Sequence, residues 1–273
     1  MTNEERAALA ERARHIRGHI IRMLASSGSG HPGGSLSAAD LLSVLYFRRL
    51  RIDPKNPRWP DRDRFVLSKG HAAPVLYGAL AEAGFFAMDN LATLRQFGSI
   101  LQGHPDMRKT PGVDMSTGSL GQGLSVGNGM ALAAKLDKKD CRVYVLMGDG
   151  ETEEGQIWEA AMTSVHYKLD NLTAFLDYNH LQIDGRIEDV KSNLHPAEKF
   201  QAFGWHVVEI DGHDLEAIDE AIDEALKTKN QPTMVVMHTI KGKGVSFMEN
   251  QAGWHGTAPK PEEAAKALAE LGF

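Results

Sequence analysis

The sequence predicts an α/β fold, with a mostly parallel central sheet and helices on both of its faces. Short runs rich in apolar and β-branched residues recur along the chain, and stretches with helical apolar spacing separate them. No repeat, low-complexity tract or long linker interrupts the alternation. Strands that alternate with helices pair in parallel, because a parallel connection needs a crossover long enough to hold a helix. Parallel sheets are covered on both sides, so their strands read as nearly continuous apolar runs.

The elements follow in order. Residues 3–25 read as a helix with Leu9, Ile16, Ile20 and Leu24 on one stripe. Ser37-Ala-Ala-Asp40 reads as a capping box that opens a second helix through about Leu50, with Asp40 in place of the usual glutamate. Pro54, Pro57 and Pro60 make the next stretch a loop. Phe65-Val66-Leu67 is the first strand, and a helix follows from about Ala72 to Ala83. Further strands are expected at Arg142–Met147, Leu172–Leu176, Trp205–Ile210 and Thr233–His238. Ile218, Ile222 and Leu226 mark a helix over Leu215–Leu226. Residues 1–273 are expected to form one domain with an N-terminal helical segment over 1–50. In such folds ligands bind beyond the carboxyl ends of the strands. That rule directs attention to the loops after Leu67, Met147, Leu176 and His238.

Composition removes some function classes. The formal net charge of −6 argues against a broadly basic, nucleic-acid-binding surface. Cys141 is the only cysteine, so no internal disulfide can form. The start, Met1-Thr2-Asn3-Glu4-Glu5-Arg6, lacks the basic-then-apolar pattern of a signal peptide. No apolar run approaches the ~20 residues needed to cross a bilayer. The expectation is a soluble, cytoplasmic protein with no membrane or nucleic-acid partner.

Two glycine-rich motifs need to be told apart. Gly28-Ser-Gly30-His-Pro-Gly33 matches the dinucleotide fingerprint letter by letter, but a long helix precedes it and Pro32 interrupts it. That fingerprint requires a strand before it and a helix directly after it, so a dinucleotide site is not expected here. Gly148-Asp149-Gly150 stands instead at the end of a strand, and Asn179 follows the next strand thirty residues on. Adjacent parallel strands would set Asp149 and Asn179 side by side. A carboxylate and an amide oxygen are hard ligands suited to Mg²⁺ or Ca²⁺. The flanking glycines let a phosphate approach the backbone.

This Asp–Asn pairing is the thiamine diphosphate motif, and the chain resembles the N-terminal, diphosphate-binding domain of transketolase. The resemblance runs from Ser29-Gly30-His31-Pro32-Gly33 to Trp254-His255-Gly256. It passes through Leu67-Ser-Lys-Gly-His71-Ala-Ala-Pro74, Gly103-His104-Pro105 and Thr117-Gly-Ser-Leu-Gly-Gln-Gly123. It continues through Gly148-Asp-Gly-Glu-Thr-Glu-Glu-Gly155 and Thr239-Ile-Lys-Gly-Lys-Gly244. The resemblance implies a transferase that moves a two-carbon ketol unit from a ketose, often a phosphate, to an aldose acceptor. It implies thiamine diphosphate as cofactor, with Mg²⁺ held by Asp149, Asn179, the carbonyl of Leu181, two diphosphate oxygens and a water.

The same resemblance distributes roles among the loops. His31, His71, His104 and His255 would face the active-site cavity, with His31 and His104 on substrate hydroxyls. His71 and His255 would lie against the diphosphate and the reacting carbons. Histidine suits such work because it donates, accepts or shuttles a proton near neutral pH. Lys69 and Lys241 would face the diphosphate, and Lys243 has no assigned role. Gly118, Ser119, Leu120, Gly148 and Gly150 would contact the cofactor. Glycines within the Gly118–Gly129 helix are costly, so a close backbone approach to cofactor or to a partner chain is expected to offset them. Glu154 and Glu159 would belong to a subunit interface, and Glu151 and Glu153 would be solvated.

Full-length transketolases carry a pyrimidine-binding domain and a C-terminal domain beyond this one. The glutamate that ionises the cofactor belongs to the former. The chain is therefore expected to be one half of a split transketolase, paired with a separate chain in an α₂β₂ tetramer. Two alternatives share these motifs: the alpha-type subunit of another divided thiamine diphosphate enzyme, whether a 2-oxo-acid dehydrogenase or a deoxyxylulose-phosphate-synthase-like protein, and a non-catalytic relative. The histidine set favours sugar handling.

Overall fold

The computed structural model describes residues 1–273. Its strands are β1 (Arg64–Leu67), β2 (Val143–Gly148), β3 (Leu172–Tyr178), β4 (Leu181–Gln182), β5 (Gly185–Arg186), β6 (His206–Asp211) and β7 (Thr233–His238). The five long strands form one parallel sheet in the order β1-β2-β3-β7-β6, and β4 and β5 make a small antiparallel hairpin just after β3.

Helix α1 (Asn3–Ser27) begins with the hydroxyl of Thr2 accepting from the Glu5 N–H at 3.2 Å while the Glu5 carboxylate accepts from the Thr2 N–H at 2.8 Å. It stops at Gly28, whose φ of 61° is a left-handed conformation that glycine adopts without strain. A short helix α2 (Gly33–Leu36) follows, then α3 (Ala39–Val44), which closes in a π-helical turn over Leu45–Arg49. The capping box expected at Ser37 does not form. Ser37 already has helical backbone angles, and its hydroxyl donates to Asp177 at 2.6 Å. Asp40 is drawn away to Arg17 and His213. Buried charge pairing outweighs a local cap here.

The remaining helices are α4 (Ala73–Glu82), α5 (Gln122–Leu136), α6 (Gly155–His166), α7 (Ile187–Val190), α8 (Pro196–Ala202), α9 (Leu215–Lys227) and α10 (Pro261–Glu270). Alternate strand residues face opposite sides of the sheet. Tyr144 and Leu146 of β2 therefore join Ile16, Ile20, Leu80 and Ile218 in one core, under α1, α4 and α9. Val143, Val145 and Met147 join Leu124, Ile157 and Phe200 in a second core, under α5, α6 and α8. No helix is long and apolar enough to cross a membrane.

Two of the glycines of α5 have a cause within the chain itself. A Cβ on Gly123 would fall 2.2 Å from the Ser68 hydroxyl, and one on Gly127 would fall 2.5 Å from the Val145 side chain. These two are glycine because α5 packs directly on β1 and β2. Gly129 has open space around it.

Candidate active site

A cavity of about 430 Å³ lies beyond the carboxyl ends of β1, β2 and β3, where the strand rule places it. The β2–β3 register pairs Gly148 with Asp177. Asp149 and Asn179 therefore emerge from neighbouring strands within one residue of the same level, and both line the cavity. One oxygen of Asp149 accepts from the Gly150 N–H at 2.8 Å, while the other, Oδ2, is buried without a partner. Burial, and then the nearby Asp177, push this carboxyl up to about 7. A buried oxygen of this kind is costly unless a cation meets it.

The other two expected metal ligands are close by. Asn179 Oδ1 accepts from the Leu181 N–H at 3.1 Å. The Leu181 carbonyl accepts from Lys241 Nζ at 2.8 Å, and the same ammonium lies 2.8 Å from His255 Nδ1. A carbonyl oxygen has two lone pairs, so one remains for a cation. Burial pushes the Lys241 amine down to about 8.

The sequence pattern gave Asp177 no role, yet it organises the floor of the site. It is fully buried at the end of β3. It accepts from Ser37 Oγ, Lys69 Nζ and Thr239 Oγ1, with Asn179 Nδ2 at 3.4 Å. Burial works to raise its carboxyl, but Lys69 and the hydroxyls overcome this and hold it below the usual range. The detectable signal was a charge inside an apolar central strand, which must be paired to be buried. Replacing Lys69 by methionine should leave Asp177 uncompensated and cost about 3–5 kcal/mol. In a domain of this size that corresponds to a fall in Tm of about 10 °C. An unchanged melting curve would show that the pair contributes no net stability.

Glu151 corrects a second expectation. It is buried rather than solvated, and its carboxylate accepts from Ser68 Oγ, from the Gly121 N–H at 2.9 Å and from the Gly148 N–H at 3.1 Å. It ties the start of α5 to the end of β2. Glu153 accepts from Gln182 at 2.9 Å, and Glu154 is exposed beside the cavity.

Three of the four expected histidines meet. His71 and His255 stack with centroids 5.2 Å apart, and His31 lies edge-on to them at 5.1 and 5.6 Å. Gly148, Gly150, Gly118, Leu120 and Lys69 join them in lining the cavity. His104 and Ser119 do not; each borders an adjacent hollow. His104 packs behind Gly118, where a Cβ would come within 2.9 Å of its ring. Tyr77 fixes that loop by donating to the carbonyls of Gln102 and His104 at 2.8 and 3.1 Å.

The histidines are not poised near neutrality. Burial first, then Lys69, hold His71 down at about 2. Burial and Lys241 hold His255 at about 3. The unfolded chain takes up a proton on such a ring near 6.5, whereas the folded chain leaves it bare, so this contribution to stability is lost as pH falls below 6.5. Asp149 has the opposite sign. Folded, it keeps its proton to about 7, and its contribution is lost as pH rises from 3.8 toward that value. Without cofactor, a shift from pH 7.5 to 5 should destabilise the unmutated chain more than His71→Asn, by about 1.4 kcal/mol per pH unit below 6.5. Urea denaturation at the two pH values measures it; equal losses would mean that the ring is not held neutral.

Known proteins resemble this architecture. Residues 9–273 match the family model described as transketolase, thiamine diphosphate binding domain. The chain is 48% identical over 270 residues to a 6-deoxy-6-sulfo-D-fructose transketolase subunit of Clostridium sp. strain MSTE9, covering 98% of each. It is 46% identical to an apulose-4-phosphate transketolase subunit of Phocaeicola vulgatus, covering 93% of this chain and 90% of that one. The transketolase structure from Campylobacter jejuni superposes with a TM-score of 0.93 at 36% identity, covering 100% of this chain and 43% of that one.

Proposed function

The chain belongs to the transketolase family, corresponding to its N-terminal, thiamine-diphosphate-binding subunit, and from that premise we propose how its residues divide the work. The observation that carries the reading is the unpartnered, buried Oδ2 of Asp149 at the rim of the cavity. With Asn179 and the Leu181 carbonyl it offers three hard oxygens, a set suited to Mg²⁺, or to Ca²⁺, between protein and diphosphate. Asp149, Asn179 and the Leu181 carbonyl would hold the cation, which would offset the negative charge of the diphosphate. Lys69 and Lys241 supply positive charge toward the diphosphate. When bound, thiamine diphosphate supplies the electron sink for cleaving and forming the carbon–carbon bond.

The protein's own groups then orient and polarise. His31 in the cavity, and His104 in the hollow beside it where its ring meets Gly118, hold substrate hydroxyls, and His71 and His255 lie against the diphosphate and the reacting carbons. The two subunit relatives are named for a sulfonated and a phosphorylated sugar. A ketose with an anionic tail is the corresponding substrate class here. The chain acts as one diphosphate-side domain over residues 1–273, in the cytoplasm. A separate chain bearing the pyrimidine-binding domain completes the site, in an α₂β₂ tetramer. Glu154, Glu159 and the exposed side of α5 belong to the contact between chains.

The division of histidine roles is tested by separating KM from cofactor affinity. His31→Ala and His104→Ala should raise the donor-ketose KM by about tenfold or more, since a substrate hydroxyl deprived of its partner costs roughly 1–3 kcal/mol. His255→Ala should instead weaken cofactor binding, because it removes the acceptor that holds Lys241. If all three variants show only the same small loss of cofactor affinity, the division is wrong.

A further inference from the structure

The lysine that meets Leu181 and His255 sits on a loop with no strand to hold it, because β7 ends at His238. Thr239 is tied to Asp177, and Gly242 N–H donates to the Gly33 carbonyl at 3.0 Å. Between these anchors the Ile240 N–H donates to His213 Nε2 at 2.8 Å. A backbone N–H can only donate, so Nε2 must be bare and the ring proton lies on Nδ1. Nδ1 donates to Asp40 Oδ2 at 2.7 Å. Asp40 is gripped on both oxygens by Arg17, at 3.0 and 2.5 Å.

The approach of His213 is built in. A Cβ on the preceding Gly212 would fall 2.5 Å from Thr239 Cγ2 and 2.8 Å from Met237 Cβ, so only glycine lets this turn press against the loop. Arg17 also bounds the far end of the loop, 3.1 Å from where a Gly244 Cβ would stand. None of Arg17, Asp40 and His213 lines the cavity.

We propose that His213 is a positioning residue for the active-site loop: its Asp40-held tautomer fixes the Ile240 amide and so sets Lys241 toward Leu181, His255 and the diphosphate of the cofactor. The inference rests on the reading of Lys241 as a diphosphate contact. A carboxylate that fixes one ring nitrogen selects what the other can do, as in other sites where a partner sets a histidine tautomer.

The test compares His213→Gln, which keeps an acceptor near the position of Nε2, with His213→Leu, which keeps bulk and loses the acceptor. Hydrogen exchange at Ile240 and calorimetric titration with thiamine diphosphate and Mg²⁺ are read on the full chain together with its partner chain. His213→Leu should weaken binding about tenfold, the size of one lost buried hydrogen bond, and speed Ile240 exchange, while His213→Gln stays within about threefold of the unmutated chain. Equal loss in both variants, or no loss in either, overturns the proposal. If His213→Leu fails to fold, the unmutated chain decides. Its Ile240 amide should be strongly protected, and exchange at the rate of an exposed loop overturns the assignment. If the unmutated complex binds no cofactor, the functional reading fails, while the exchange comparison still tests the role of His213.

Discussion

Asp149→Asn is expected to abolish metal-dependent binding of thiamine diphosphate while leaving the chain folded. The carboxylate oxygen it removes is buried and without a partner. Burial and Asp177 oppose its charge when no cation is bound. A bound cation reverses that balance, and losing one member of a buried charge pair costs about 3–5 kcal/mol, or about two to four orders of magnitude in affinity. The amide keeps the shape and removes the repulsion from Asp177, so the melting temperature without cofactor should hold or rise. A structural carboxylate would behave in the opposite way, losing stability on substitution. The measurement is calorimetric titration with cofactor, with Mg²⁺ and then with a chelator, alongside thermal unfolding. Unchanged affinity in the variant would remove Asp149 from the metal site.

Much of this site is legible in the amino-acid sequence. Strand-like runs with alternating helices imply the parallel sheet, and the strand-end rule then points to the loops that line the cavity. Asp149 and Asn179 are readable because two adjacent strand ends must bring them together. What escapes is set by contacts distant in sequence. Glu151 follows the same loop as Asp149, but only the fold brings Ser68, Gly121 and Gly148 around it. Ser37 and Asp40 match a local capping pattern, yet Asp177, Arg17 and His213 claim them instead. Gly123 and Gly127 read as costly helix residues until the helix is placed on β1 and β2.

The second large effect concerns the partner. Polar and charged groups make up most of the cavity lining, with Leu120, Leu181 and Ile183 as its apolar residues, so this chain alone offers a pyrimidine ring little apolar surface. Leu120 and Ile183 line the cavity and stand exposed, and Met162 and Tyr167 are exposed on α6 and just beyond it. Exposed apolar side chains of this kind suit the proposed contact with a partner chain, and obligate interfaces bury more than ~2,000 Å². The lone chain should therefore bind thiamine diphosphate weakly and show no ketol transfer. Adding a chain with the pyrimidine-binding domain should restore both.

The most direct measurement is an assay of two-carbon transfer from a ketose phosphate to an aldose, with thiamine diphosphate and Mg²⁺ present. The purified chain is assayed alone, then with increasing amounts of the partner. The account predicts no turnover from the chain alone and activity that rises with partner until the two are equimolar. Full turnover by the lone chain, or none at any ratio with a partner that forms the complex, would contradict it.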